Sequence, residues 1–575
     1  MLAWTWGTWP DALVDFGEQL YMPWQISQGE VLYRDIAYHN GPVSQYWNAL
    51  WFWLFGTSLR TVVIVNLSLL GGLTALLYHV LRQVAGRLAS TAGCLVFLLL
   101  FAFAQFVVNG NYNYVCPYAH EATHGLMLSL GALACAWAYP RRGLPAVAAA
   151  GFLIGLLFLT KLEVSIAGSV ATVTALGLTL LTLGITWRRA AAFAGAFLGA
   201  ALVPPLIAFL SLWSQMDATG GLRGTLGSWL VAANPQMVNL LFFRSGMGTD
   251  DVAGSLRLMF AYAGWLAGIA GLPVLLSLAQ GKQGPARTVL AAAFVVIAVA
   301  IWTSWIGSEW PDVGRPLPLV MLAAAAVITV VLVMRRRDRQ EAQRLIRQLS
   351  LTVFGGAMLA KMALNARIYH YGFVLAMPAA VVVTVLLLDW LPAVVRRFGG
   401  AGVIVRAAGV AMLAVVVAVH LHVQGQLMAT KTWLVGTGAD TFRSDAIGRL
   451  INETTGAISQ RCPPGHTLAV LPEGAMLNYL CRRANPTPYT NFIPSVIIYH
   501  GEDNILKSLR AHPPDMIVLA HKDTSEFGYR FFGRDYGQDL YAWIWQNYAP
   551  TVRIGAMPLT SDQFGILLME RRAQR

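Results

Sequence analysis

Asp15-Phe16-Gly17-Glu18-Gln19-Leu20-Tyr21, continued by Gly29-Glu30-Val31-Leu32-Tyr33-Arg34-Asp35 and His39-Asn40-Gly41-Pro42, leads into an aromatic run that closes at Phe55-Gly56. No other long stretch ahead of the first clear apolar span mixes acids, aromatics and turn residues in this way. Its apolar pieces, 19–27 and 43–55, are too short to cross a bilayer, and Gly41-Pro42 sets a turn between them. The second piece is rich in Trp and Tyr, as a helix lying in the membrane interface would be. The stretch reads as a site mounted on a scaffold.

Composition identifies the scaffold. The chain has 575 residues, of which 56% are hydrophobic and 12% charged, with a mean hydropathy of +0.56. That is too apolar and too poor in charge for a soluble enzyme. A helix spanning about 30 Å of hydrocarbon needs about 20 apolar residues. Twelve runs qualify: 61–81, 89–108, 124–139, 144–160, 164–186, 191–213, 258–280, 288–305, 316–334, 349–364, 371–390 and 407–423.

The connections between these runs alternate in charge. Arg141-Arg142, Arg188-Arg189 and Arg335-Arg336-Arg337 belong to a set of short loops in which Lys and Arg are about fivefold denser than in the opposite set. The basic set is therefore expected inside, and residues 1–60, the long loops and residues 424–575 outside. A net charge of +13 is explained by this asymmetry and by anionic lipid, without nucleic acid. Met1 to Pro10 is too short to carry Asp15 across. Either a first helix lies upstream, which would make thirteen and is our expectation, or the N-terminus is translocated directly.

The form Asp15, then Gly-Glu-x-x-Tyr-x-Asp at 29–35, then Gly41-Pro42 and an aromatic helix ending in Phe-Gly resembles the first extracytoplasmic loop of GT-C membrane glycosyltransferases. Within them it is most similar to the dolichyl- or polyprenyl-phosphate-sugar-dependent group, which includes protein O-mannosyltransferases and lipid A aminoarabinose transferases. The resemblance implies a polytopic helical fold with an outer C-terminal domain. It implies transfer of a sugar from a polyprenyl-phosphate donor to a glycan, lipid or protein acceptor at the outer face of a plasma or bacterial inner membrane. In that family the loop acid resembling Asp15 is the catalytic base. The family's usual adjacent Asp-Glu pair is replaced here by Asp15 and Glu18, so either acid could do the work; Asp35 is a further candidate. Alternatively, Asp15 caps the helix that follows it.

Such chemistry needs a carboxylate to deprotonate the acceptor hydroxyl and cations to stabilise the departing phosphate. Thr160-Lys161-Leu162-Glu163 resembles a Thr-Lys-x-Glu turn of the same enzymes and makes Lys161 a candidate phosphate ligand, unless Lys161 merely snorkels beside Glu163. Arg367, flanked by aromatics in 365–371, and Arg244, in the long lid-like loop 214–257, are the other phosphate candidates. Solvated loop charges are the plain alternative for both. Tyr21, Asp35, Asn111, Tyr114, His120, Glu121, Glu163, Tyr369 and His370 are candidate sugar or acceptor contacts, with Tyr118 beside them. Glu309, Asp312 and Arg315 fall in another outer loop.

His120-Glu121-Ala122-Thr123-His124 also fits HExxH, in which two His on one helix face hold Zn²⁺ and Glu acts as base. An intramembrane zinc metallopeptidase is thus an alternative, though no third ligand is marked. A divalent metal cofactor is left open. A lipid or sugar transporter would explain the helix count, but it would place its ionisable groups near mid-membrane.

Past the last span, strands are expected at 467–471, 516–520 and 564–569, and helices at 441–457, 474–483, 502–511 and 538–547, making a small α/β domain. Cys462 and Cys481 lie in it, and their pairing is open.

Overall fold

Among the described residues, each apolar run contains a helix. The computed structural model describes residues 1–105, 110–184, 186–280, 285–304 and 312–572. After a single helical turn at Leu2–Thr5, two longer helices, α1 (Phe16–Ser27) and α2 (Val43–Phe55), precede twelve that match the twelve expected spans. These are α3 (Leu59–Arg82), α4 (Arg87–Ala102), α5 (His120–Arg142), α6 (Leu144–Phe158), α7 (Leu162–Leu183), α8 (Trp187–Trp213), α9 (Val252–Gln280), α10 (Pro285–Ser304), α11 (Leu317–Arg335), α12 (Arg339–Met358), α13 (Gly372–Arg397) and α14 (Gly402–Ala429). Among the described residues, eight helices are long and apolar enough to cross a bilayer by themselves. α4 and α6 are shorter, while α5 and α12 carry charged turns. α12 begins ten residues ahead of its apolar run because Asp338 caps it, its carboxylate accepting from Gln340 N and Glu341 N.

The loops sort to two ends of the bundle. Gly41 N donates to Thr160 O (3.0 Å), Asn113 Nδ2 to Trp9 O (3.1 Å) and Leu364 N to Met247 O (3.1 Å), so the long connections meet at one end. At Gly41 a side chain would collide with the Leu159 carbonyl, so glycine alone lets the loop lie on the turn before Lys161. The Arg-rich connections lie at the other end, where Arg397 pairs with Glu341.

The two short apolar pieces divide in role. α2 leaves Trp53 and Phe55 72% and 69% exposed, as a helix in the interface would. α1 is not free on the membrane side of the loop. The C-terminal domain covers it, with Gly17 packed directly against the Met476 backbone.

That domain is α/β. A hairpin of β1 (Trp433–Val435) and β2 (Phe442–Ser444) precedes α15 (Ile447–Arg461), β3 (Leu468–Leu471), α16 (Ala475–Cys481), α17 (Pro494–His500), α18 (Glu502–Ala511), β4 (Met516–Ala520), α19 (Gln538–Asn547), β5 (Tyr548–Gly555) and β6 (Gly565–Arg571). The sheet order is β3-β4-β6-β5, with β3 and β4 parallel and the other pairs antiparallel. Three expected strands are present, but the helix expected at 441–457 is displaced to α15 because residues 442–444 pair with β1. β5 went unread because Pro550 interrupts its pattern. It is an edge strand with a register shift there. Cys462 and Cys481 are free thiols, each turned to a backbone carbonyl.

Asp440 bolts the domain to the bundle. Its carboxylate accepts from the first amide of α3, Leu59 N (2.7 Å), and from Tyr479 Oη (2.8 Å), and pairs with Arg482 Nη2 (2.7 Å). Asp440→Ala removes the acceptor of Leu59 N and Tyr479 Oη and leaves Arg482 with carbonyl partners only, and is expected to cost about 3 kcal/mol, read as a fall in Tm of the detergent-solubilised protein. An unchanged Tm would show that the joint is held elsewhere.

Candidate active site

Asp15 stands at the entrance to α1 in a strained γ-turn, with φ 53° and ψ −60°, and Phe16 N donates to Val14 O (2.6 Å). The peptide linking Val14 to Asp15 is clamped at both ends. Asn111 Nδ2 donates to Val14 O (3.2 Å), and Asp15 N donates to Glu473 Oε1 (2.9 Å). Asn111 Nδ2 also reaches Asp15 Oδ2 (3.3 Å). Asp15 occupies the N-cap position, yet its carboxylate accepts nothing from the first turn of α1, so capping is not its role. Glu18, one turn on, accepts from Thr490 Oγ1 (2.7 Å).

Burial pushes the Asp15 carboxyl well above the ordinary range; the Glu473 charge adds to this and Lys522 opposes it. Burial likewise lifts Glu18 to about 7. Lys522 pairs with Glu473 at 3.0 Å. Neither Glu473 nor Lys522 was expected here, because each comes from a loop after a strand of the C-terminal domain.

The cationic side is built by the bundle. Lys161, in the turn between α6 and α7, donates to Tyr118 Oη (2.7 Å) and lies 3.9 Å from Glu163. Glu163 pairs more closely with Lys361 (3.0 Å), which sits 4.9 Å from the Tyr371 ring centroid. Lys361 is the residue the sequence concealed: it falls within the apolar run 349–364, although the helix has tightened to a 3-10 turn, Leu359–Met362, before reaching it.

An aromatic wall joins the two sides. Tyr112 packs on His370 (4.5 Å between centroids) and Tyr118 on Tyr371 (4.9 Å). The Asp15 charge is felt at the Tyr112 and Tyr118 hydroxyls, and that of Lys161 at His370. Burial, reinforced by Arg367, holds His370 down to about 3, so it faces the site as a neutral ring. Arg367 is half-buried against the Tyr369 ring (5.4 Å). Arg244 is exposed on the short helix Leu241–Met247, whose Phe242 stacks on Phe527 of the C-terminal domain at 4.6 Å and approaches Tyr371 at 5.9 Å.

Other candidate residues are engaged elsewhere. Tyr21 Oη accepts from Asn485 N (2.8 Å), and Tyr114 is packed between Phe97 and Phe373. Asp35 locks a turn by accepting from Val31 N (2.8 Å) while pairing with Arg34. Asp535 does the same for Phe531 N (2.8 Å) beside Arg534, and residue 33 or 533 takes positive φ in each case. Glu309 lies outside the described residues.

The HExxH residues form a buried polar clasp. His120 Nδ1 meets Gln19 Oε1 (2.8 Å) and Nε2 meets Asn66 Nδ2 (2.9 Å), while Glu121 Oε1 accepts from Tyr38 Oη (2.6 Å) and Gln45 Nε2 (3.0 Å). With both His120 nitrogens engaged, these residues do not fit a zinc site. Among the described residues no three His, Cys, Asp or Glu side chains converge as metal ligands would.

No family model matches this chain, and no curated protein does. Among solved structures, the crystal structure of ArnT from Cupriavidus metallidurans in the apo state is similar over 98% of this chain and 96% of its own, at 12% identity and a TM-score of 0.44. So distant a likeness carries no argument. The helical bundle, the candidate spans and the C-terminal sheet stand on the structure itself.

Asn66→Ala, which breaks the clasp, is expected to lower stability by about 1–2 kcal/mol, while added zinc leaves the wild-type Tm where it is. A zinc-dependent rise in Tm would restore the peptidase reading.

Proposed function

We propose that this chain is a membrane glycosyltransferase that moves a sugar from a polyprenyl-phosphate donor to an acceptor hydroxyl on the extracytoplasmic side. One observation carries the reading: a carboxylate of raised pKa and a Lys161–Glu163–Lys361 cluster share one end of the bundle, joined by Tyr112, Tyr118, His370 and Tyr371. A transporter would place its ionisable groups near mid-membrane, whereas Asp15, Lys161 and Lys361 all belong to loops and turns at the ends of helices.

Asp15 takes the proton from the acceptor hydroxyl as its oxygen attacks the anomeric carbon, and the bond from that carbon to the phosphate oxygen breaks. The donor phosphodiester carries one negative charge and the released polyprenyl phosphate gains another. Lys161, Lys361 and Arg367, set against Glu163, supply a surplus of positive charge where this develops. Arg244 lies on the lid segment and would approach the phosphate from there. Asn111 orients Asp15, while Tyr118, Tyr369 and neutral His370 offer hydrogen bonds and stacking to the sugar. Glu18 tunes Asp15, its charge raising the proton affinity of the base.

With a panel of polyprenyl-phosphate sugars, Asp15→Asn is expected to lower turnover by about 10²- to 10⁴-fold, scored as polyprenyl phosphate released. Full activity in that variant would end the assignment. Lys361→Met should raise the donor KM and lower kcat together, by about tenfold in kcat/KM; a purely structural lysine would lower the amount of folded protein instead.

The pH dependence has a definite sign. A base of raised pKa is protonated at low pH, so kcat/KM climbs with pH until Asp15 ionises. The Glu18 charge raises the Asp15 pKa, so Glu18→Gln should move the acid limb of the profile to lower pH. A limb that stays in place, or moves upward, would separate Glu18 from the base.

A further inference from the structure

A cavity of about 540 Å³ lies between the N-terminal segment and the C-terminal domain. One wall is Pro10 to Val14, which runs directly into Asp15; the other is formed by residues around Asp445 and by His521, Lys522, Asp523 and Glu526. It lies at the carboxyl end of β4, which His521 to Asp523 continue, and Lys522 reaches from there to Glu473, which follows the parallel neighbour β3. Crevices at that edge of a sheet are where α/β domains receive ligands, and the volume suits a small molecule.

The lining has a definite charge. Asp11, Asp445, Asp523 and Glu526 outnumber the two lysines of the lining; Lys522 pairs with Glu473 and Asp523 with Arg530, both partners outside the lining, while Lys431 Nζ donates to Thr8 O (2.5 Å). A ligand entering here meets surplus carboxylate, which accepts hydrogen bonds from hydroxyl and ammonium groups and repels phosphate. The cation cluster that suits the donor phosphate lies within the bundle, whereas this cavity is walled on one side by the segment that ends at Val14, the residue before Asp15.

We propose that this cavity is the acceptor subsite, and that it takes a neutral or amino-bearing sugar unit and turns away phosphorylated ones. The proposal rests on the glycosyltransferase reading. Its place in the reaction is to deliver an acceptor hydroxyl to Asp15 along the Pro10–Val14 wall, independently of the donor.

The test uses the full-length purified protein with whichever polyprenyl-phosphate sugar it cleaves, offering methyl α-mannoside, glucosamine or glucose 6-phosphate as acceptor. The first two should be glycosylated with kcat/KM about tenfold above that for glucose 6-phosphate. Ala12→Trp, which fills the cavity, should raise the acceptor KM about tenfold while leaving the donor KM in place. Glu526→Lys, an exposed change that spares the core, should narrow the gap between neutral and phosphorylated acceptors. Equal use of all three acceptors, or wild-type acceptor KM in both variants, overturns the subsite while leaving the transferase standing. No release of polyprenyl phosphate from any donor overturns the transferase reading and the subsite with it.

Discussion

The structure turns on one clamped peptide bond. The Val14 carbonyl is held by Asn111 and the Asp15 amide by Glu473, and between them the backbone at Asp15 stays in a conformation that costs about 1–3 kcal/mol. Asn111 comes from the loop before α5 and Glu473 from the loop after β3, so neither the bundle nor the C-terminal domain alone can keep Asp15 in place. Glu473 is itself only 4% exposed at its side chain and tolerable there because Lys522 pairs with it. The proton affinity of the membrane loop's acid is therefore set by the domain that covers it. Undocking that domain would remove the Glu473 charge and rehydrate Asp15, and both changes lower its pKa.

The two sides of the site are stabilised differently. The acid side depends on contacts across hundreds of residues of sequence, as in Asp15 to Glu473 and Glu18 to Thr490. The cation side is local to the bundle, where Glu163 bridges two lysines that would otherwise repel. Of its two contacts, 3.0 Å to Lys361 is a hydrogen-bonded pair and 3.9 Å to Lys161 a loose one, and Lys161 is held instead by Tyr118 Oη at 2.7 Å. Phe242 spans both sides, touching Phe527 on the domain and Tyr371 on the bundle.

Legibility in the sequence followed the physics of each feature. The helices could be read because hydrocarbon demands uninterrupted apolar runs; the charged first half of α12 could not, because a capped polar helix leaves no hydropathy signal. Lys361 was hidden for the converse reason, as a single cation at the end of an apolar run looks like part of it. Asp35 looked like chemistry because it is an acid in a loop expected outside. Yet Arg34-Asp35 and Arg534-Asp535 are the same dipeptide in the same turn, and that recurrence was available to see. HExxH misled by pattern: its His and Glu are conspicuous in sequence, but buried polar groups must find partners, and here they found amides and a phenol. Glu473 and Lys522 carried no local signal at all, since their role exists only once β3 and β4 lie side by side.

The clasp that displaced the zinc reading explains why Asp15 can be strained without being mobile. Gln19 of α1 is held by His120, which is held in turn by Asn66 of α3, and Gln45 of α2 bonds both Gln19 and Glu121. From the opposite side, Met476 packs on Gly17 and Thr490 bonds Glu18. α1 is thus gripped along its first turn by the bundle below and the domain above, with glycine at the one position where a side chain would hold the two layers apart. A buried carboxylate keeps a raised pKa only on a dry and rigid mount. In this chain the polar network within the bundle supplies the rigidity, and the docked domain supplies the dryness.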